Sequence, residues 1–171
     1  MTDFASNLTM WLEIAALAAI GVGMAWDVLR LRIPHGVCLA IIVLMPIWGF
    51  TIDGGIVWFN HVTGAVVAFG VGYLMWRLRW IGGGDVKFLA VIALWVGIVD
   101  LGFFLVAMSV LGALLGVVLL VLRKAFAACA GKERAVAPET PVLLRMNGPV
   151  PYGVAIGLAA FLLHGVIFTE L

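Results

Sequence analysis

The sequence is short of charge. Of 171 residues only 11% are Asp, Glu, Lys or Arg, while 65% are hydrophobic. Soluble domains carry about 25% charged residues, so a water-facing globule is excluded and an integral membrane protein is indicated. A basic excess is missing too. Ten Lys and Arg stand against 9 Asp and Glu, which leaves no electrostatic footprint for nucleic acid. The two cysteines, Cys38 and Cys129, form no CxxC pair, so neither a thiolate zinc site nor a disulfide framework is available. The opening MTDFASNLTM holds no Lys or Arg, and no small-x-small cleavage site follows it. The first apolar run is therefore expected to stay as a helix rather than leave as a signal peptide.

Long apolar runs are what the chain has in plenty. A bilayer core about 30 Å thick takes about 20 apolar residues at 1.5 Å each. Runs over 8–29, 36–52, 56–75 and 152–169 meet or approach that length. The stretch 86–122 as one helix would be about 55 Å long, and it carries Asp100 between Gly97 and Gly102. Splitting it there gives a short helix over 86–99 and a full one over 101–122. The expectation is an all-α integral membrane protein of six transmembrane helices, one domain over residues 1–171.

The connections test this plan, because Lys and Arg accumulate on the cytoplasmic side. With the split, Arg30 and Arg32 fall between helices one and two, and Arg77, Arg79 and Lys87 around the link from three to four. Arg123, Lys124, Lys132, Arg134 and Arg145 fall between five and six, so all basic residues share one face. The opposite face holds Asp3, Asp53, Asp100 and Glu170 with no basic residue. Both termini are expected outside the cytoplasm. Trp11, Trp58 and Trp80 lie near predicted boundaries, as an interfacial aromatic belt places them.

Within this plan Asp27, in GMAWDVLRLRIPH, and Asp85, in IGGGDVKFLAVIALWVG, lie at the same cytoplasmic boundary. Carboxylates at the edge of the bilayer are costly unless they face a partner or a polar cavity, so they are candidates for function. Two readings are open. In one they are interfacial charges, Asp27 pairing with Arg30 and Asp85 with Lys87 or Arg79. In the other they form a working pair. Gly82, Gly83 and Gly84 favour the second: they free the backbone to turn sharply and let another chain come close. Asp85 then opens a helix whose backbone N–H groups orient it. An anchor has no need of such a loop.

At this point the residues resemble a known family. GGGDVK looks like the GxGD element of membrane aspartyl proteases, and GxGDxK in particular resembles the prepilin peptidases of bacterial type IV pilus systems. DVLRLRIPH is similar to that family's first aspartate followed by a basic stretch and Ile-Pro-Asn, with His35 standing where Asn is usual. VPYGVAIG is similar to its Pro-Tyr-Gly opening of the last helix. The three elements span most of the chain in the family's order. The chain lacks the cysteine-bearing cytosolic insertion and methyltransferase region of the long members, so it resembles the short branch, which serves tight-adherence (Flp-type) pili and cleaves without methylating.

The resemblance implies an aspartic endopeptidase of the bacterial inner membrane, with its active site facing the cytoplasm, that removes the leader from prepilins and pseudopilins. It implies Asp27 and Asp85 as the catalytic dyad. Gly82, Gly83, Gly84, Lys87, Pro151, Tyr152 and Gly153 are implied as substrate-binding or supporting residues. The chemistry needs two acids: one ionised, to take a proton from the attacking water, and one protonated, to polarise the scissile carbonyl. Carboxylates sharing a site do not both ionise easily, and their titration belongs to the pair. No cofactor is called for. An acid pair can also hold a divalent cation, but here it lacks nearby His or further carboxylates.

Several features keep plainer readings beside these. Lys87 either balances charge at the dyad or is a positive-inside anchor. Tyr152 either donates a hydrogen bond to substrate or dyad or sits in the aromatic belt. Pro34 is expected to set a tight turn into helix two, and Pro46 to kink it. The connection from Arg123 to Val150 reads as a partly irregular segment on the membrane surface. Gly112 with Gly116, and Gly153 with Gly157, are small-xxx-small spacings for close helix packing, inside the bundle or between copies of the chain. His61 and His164 receive no role. The partners expected are lipid, the prepilin substrate and possible further copies of the chain. A competing, non-enzymatic reading makes the protein a small transporter or proton relay built on the same two acids.

Overall fold

The computed structural model describes residues 2–163, apart from 53–54, 132, 134–135 and 147. Asp53, Lys132, Arg134, His164 and Glu170 lie outside the described residues, as do the Asp3 side chain and the end of the helix expected over 152–169. Among the described residues the regular structure is helical and no strand forms. The helices are α1 (Thr2–Arg30), α2 (His35–Gly49), α3 (Trp58–Arg77), α4 (Gly83–Ala130) and α5 (Tyr152–Leu162).

Side-chain contacts fix how the helices run. Thr9 of α1 bonds Thr51 beyond the end of α2, and the Trp48 indole N–H donates to Glu13 at 3.1 Å, so α1 and α2 are antiparallel. Gly153 and Gly157 of α5 pack on Asp27 and on Met24 of α1, again antiparallel. On α3, Gly72 lies against Val86 and Leu89, and Gly64 lies against Ala93 and Gly97, so α3 runs antiparallel to the start of α4.

α4 is not a straight rod. Gly97 has φ 77 and ψ 170 in its middle, a backbone state open to glycine and strained for anything with a Cβ. The helix divides there into a first arm over 83–96 and a second over 98–130. The second arm turns back: Gly112 contacts Tyr152 and Ala155, whereas a straight helix would carry Gly112 about 40 Å from Asp85. The expected split is thus real, but its residue is Gly97, and Asp100 sits in the first turn of the new helix, where an acid suits the N-terminal dipole.

The break is clamped by two consecutive residues of α3. The Asn60 Oδ1 accepts from the backbone N–H of Ile98 at 2.9 Å and of Val99 at 3.2 Å, capping the second arm from another helix. The His61 Nδ1 lies 3.0 Å from the Leu94 carbonyl, one of the carbonyls that the end of the first arm leaves without a helical partner. His61 is buried and belongs to this clamp, a structural place that the sequence reading did not give it.

The far end of the second arm differs from expectation. The second arm continues to Ala130 rather than stopping at 122, so the connection to α5 is shorter than Arg123–Val150. Its described residues over 138–146 are mostly turns, with Thr140 bonded to Ala137 and Gly148 to Arg145 along the backbone. The Arg145 guanidinium ties it further by donating to the Pro138 and Thr140 carbonyls. Pro34 stands at the N-cap of α2, and Pro46 lies inside α2.

The core is built from Ile41, Met45, Trp48, Phe88, Leu89, Ile92, Phe104 and Ile156. Trp48 and Trp95 pack with ring centroids 5.3 Å apart, and the Trp95 N–H donates to the Ile41 carbonyl. The outside is apolar as well: Leu29 is 76% exposed, Phe50 81% and Phe103 73%. A water-soluble surface does not crowd bare aromatic and aliphatic side chains in this way. Ser6–Arg30 and Gly83–Ala130 are long and apolar enough to cross a membrane, and α2 and α5 are shorter apolar helices.

Candidate active site

Asp27 of α1 and Asp85 of α4 meet in one cavity of about 330 Å³. Both are buried, Asp27 to 4% exposure and Asp85 to 8%, and both line that cavity. Asp27 lies in the last turn of α1. Asp85 is the third residue of α4.

Each acid is held by a backbone amide. The Gly82 N–H, at the N-cap of α4, donates to the Asp85 Oδ2 at 3.0 Å, the return half of a capping box. The Gly153 N–H, in the first turn of α5, donates to the Asp27 Oδ2 at 2.8 Å. Arg30 lies over the Trp26 ring, 5.9 Å from its centre, and the Asp27 carboxylate turns inward to Gly153.

The glycine run does not make the sharp turn expected of it. Gly83 and Gly84 already belong to the first turn of α4, Gly82 has φ −75, and none of the three has a positive φ. What they supply is room. A Cβ on Gly82 would come within 3.1 Å of the Asp85 Oδ2, and one on Gly84 would approach the Ile33 backbone. The cavity wall on that side is bare main chain.

The opposite wall is the turn that leaves α1. Leu31 takes φ 52 with its N–H bonded to the Asp27 carbonyl, a left-handed helix end usually given to glycine. That turn brings Leu31, Arg32, Ile33 and His35 to the cavity. Sequence reasoning noticed His35 only as a departure from the family pattern and missed Leu31, because nothing local marks a leucine for positive φ.

Not every expected residue reaches the acids. Lys87 lines a neighbouring groove of about 310 Å³ with Phe69, Tyr73, Trp76 and Val86, and only Gly83 is common to both spaces. The Tyr152 ring packs on Gly112 of the second arm, where an added Cβ would meet its Cε1 at 3.0 Å. It is the backbone after Tyr152 that contacts Asp27. Pro151 is buried and caps α5. Of the spacings read as packing seams, Gly153 and Gly157 serve α5 against α1, and Gly112 serves α5 against α4, but Gly116 faces open space. A further seam went unread: Gly64, Ala68 and Gly72 form the buried strip of α3. Among the described residues, no group of three or more His, Cys, Asp or Glu side chains gathers where a metal ion could be held.

Two buried carboxylates thus share one cavity at one end of a bundle of apolar helices. A sequence model of the type IV leader peptidase family matches residues 14–117, and the chain belongs to that family, whose members are prepilin leader peptidases and membrane proteins. The match contains both aspartates and stops short of Gly153. No curated protein and no solved structure matches the chain. Membership of a peptidase family sets aside the reading of the protein as a transporter or proton relay.

Proposed function

We propose that Asp27 and Asp85 are the catalytic dyad of a leader peptidase that cuts Flp-type prepilins and pseudopilins at the cytoplasmic face of the bacterial inner membrane. The observation that carries this reading is the shared cavity in which each acid is anchored by a backbone amide. Each of those bonds takes one carboxylate oxygen. The second oxygen is what each acid offers to water or to the scissile carbonyl.

The reaction follows from the pairing. With one proton shared by the two acids, the ionised member takes a proton from water as the water oxygen bonds the scissile carbon. The protonated member donates to the carbonyl oxygen, and the tetrahedral intermediate collapses with a proton delivered to the leaving amine. Fixed anchors reduce the reorganisation these transfers need. The bare wall at Gly82–Gly84 lets a peptide backbone come close.

The loop charges support six membrane crossings with both termini outside the cytoplasm, a topology in which the dyad lies at the inner boundary. A substrate with its leader in the cytosol and an apolar helix in the bilayer would present its cleavage point at that depth. The Flp-type assignment is supported by the chain's lack of the long branch's cysteine-bearing insertion.

The test is co-expression of a Flp-type prepilin with wild type, Asp27→Asn and Asp85→Asn, read by gel shift and by the mass of the new N-terminus. Cleavage by wild type alone, with all three proteins at equal membrane levels, is the expected result. Cleavage by both variants would remove the dyad from the mechanism.

A further inference from the structure

Arg123 enters the sequence reading only as one more basic residue of a cytoplasmic connection, yet it is 7% exposed. An arginine kept for its charge at a membrane face extends into water. This one turns into the protein and spends its guanidinium on two backbone carbonyls. Its Nε donates to Leu143 and its Nη2 to Pro149, both at 2.8 Å.

The second of those carbonyls lies just upstream of the site. From Pro149 the chain passes through Val150 and Pro151, and Tyr152 N–H bonds back to Val150 at 2.9 Å. The next amide is that of Gly153, which holds the Asp27 Oδ2 at 2.8 Å. Two prolines with fixed φ stiffen this short run, so the place of Pro149 sets the place of Gly153. The Tyr152 ring, seated on Gly112, ties the same run to the second arm of α4, the helix that carries Arg123.

We propose that Arg123 is a positioning residue for the dyad: by gripping the Leu143 and Pro149 carbonyls it fixes the segment that delivers the Gly153 N–H to Asp27. The proposal rests on the peptidase reading for its kinetic consequence. Its structural part stands independently. Lysine at this position keeps the charge but not the planar fork that reaches two acceptors.

The test uses the purified full-length protein in detergent with a synthetic prepilin peptide, comparing wild type, Arg123→Lys and Arg123→Met. Hydrogen exchange across 150–156 is measured on the same samples. The expected result for Arg123→Met is a kcat lower by about tenfold or more with KM changed by less than about threefold. Amide exchange at Gly153 should be faster by about tenfold or more. Arg123→Lys should fall between the two. An unchanged kcat, or a loss confined to KM, overturns the proposal, the latter by making the connection a substrate contact. Unchanged exchange at Gly153 overturns it as well. If wild type cuts no prepilin peptide, the peptidase reading fails, and the exchange data alone decide whether Arg123 holds the segment.

Discussion

The amide of Gly153 and the carboxylate of Asp27 are 126 positions apart in sequence and 2.8 Å apart in space. A Cβ on Gly153 would fall 2.8 Å from the Asp27 Oδ2 and 3.0 Å from the Ile33 Cδ1. Gly153→Ala should therefore push the acid off its anchor and lower kcat/KM by about tenfold or more. Membrane levels should match wild type. Full activity in the alanine variant would show that the anchor is dispensable.

The two acids share one cavity, so their protons should be read together in a pH profile. At low pH both are protonated and no base is left to activate water; at high pH both are ionised and no acid is left to polarise the carbonyl. Cleavage rate against pH should be bell-shaped. A profile that rises to a plateau with a single limb would argue for one working carboxylate.

Gly97 should tolerate no side chain. Its φ of 77 and ψ of 170 strain any L-residue, and a Cβ would lie 2.5 Å from the Asn60 Nδ2. Gly97→Ala is expected to destabilise the protein by about 2–5 kcal/mol, visible as a lowered unfolding midpoint in detergent. Asn60→Ala, which strips the cap from Ile98 and Val99, should cost about 1–2 kcal/mol. Asn60→Asp keeps an accepting oxygen and should lose less.

Two glycines of α3 offer a contrast. At Gly64 a Cβ would stand 2.7 Å from the Gly97 carbonyl carbon and 2.9 Å from the Ile98 nitrogen, main-chain atoms that cannot swing away, while at Gly70 it would meet nothing within 4 Å. Gly64→Ala should lower the unfolding midpoint. Gly70→Ala should leave it unchanged or raise it, by up to about 1 kcal/mol of helix propensity. Equal effects at the two positions would contradict the close approach of α3 to the break.

Much of the site could be read from residue types alone. Asp27 and Asp85 stood out because a carboxylate at a membrane boundary demands a reason, and the excess length of 86–122 exposed the division of α4. What stayed hidden depends on neighbours far away in sequence. Asn60 and His61 look like two stray polar residues until the broken backbone at Gly97 stands beside them. Leu31 gives no sign that it will take a left-handed conformation, since that state at a helix end is ordinarily read from a glycine or an asparagine. The glycines before Asp85 advertised flexibility, and the structure uses their missing side chains instead. Arg123 looked like a topology signal because charge can be counted in a sequence and burial cannot.

The long reach from Asp27 to Gly153 also has a meaning in time. During synthesis both aspartates are made and their helices placed well before residue 153 leaves the ribosome. Until α5 inserts, the first acid lacks the amide that holds it. A nascent chain, or one cut short ahead of α5, would carry both acids but not the amide that holds the first.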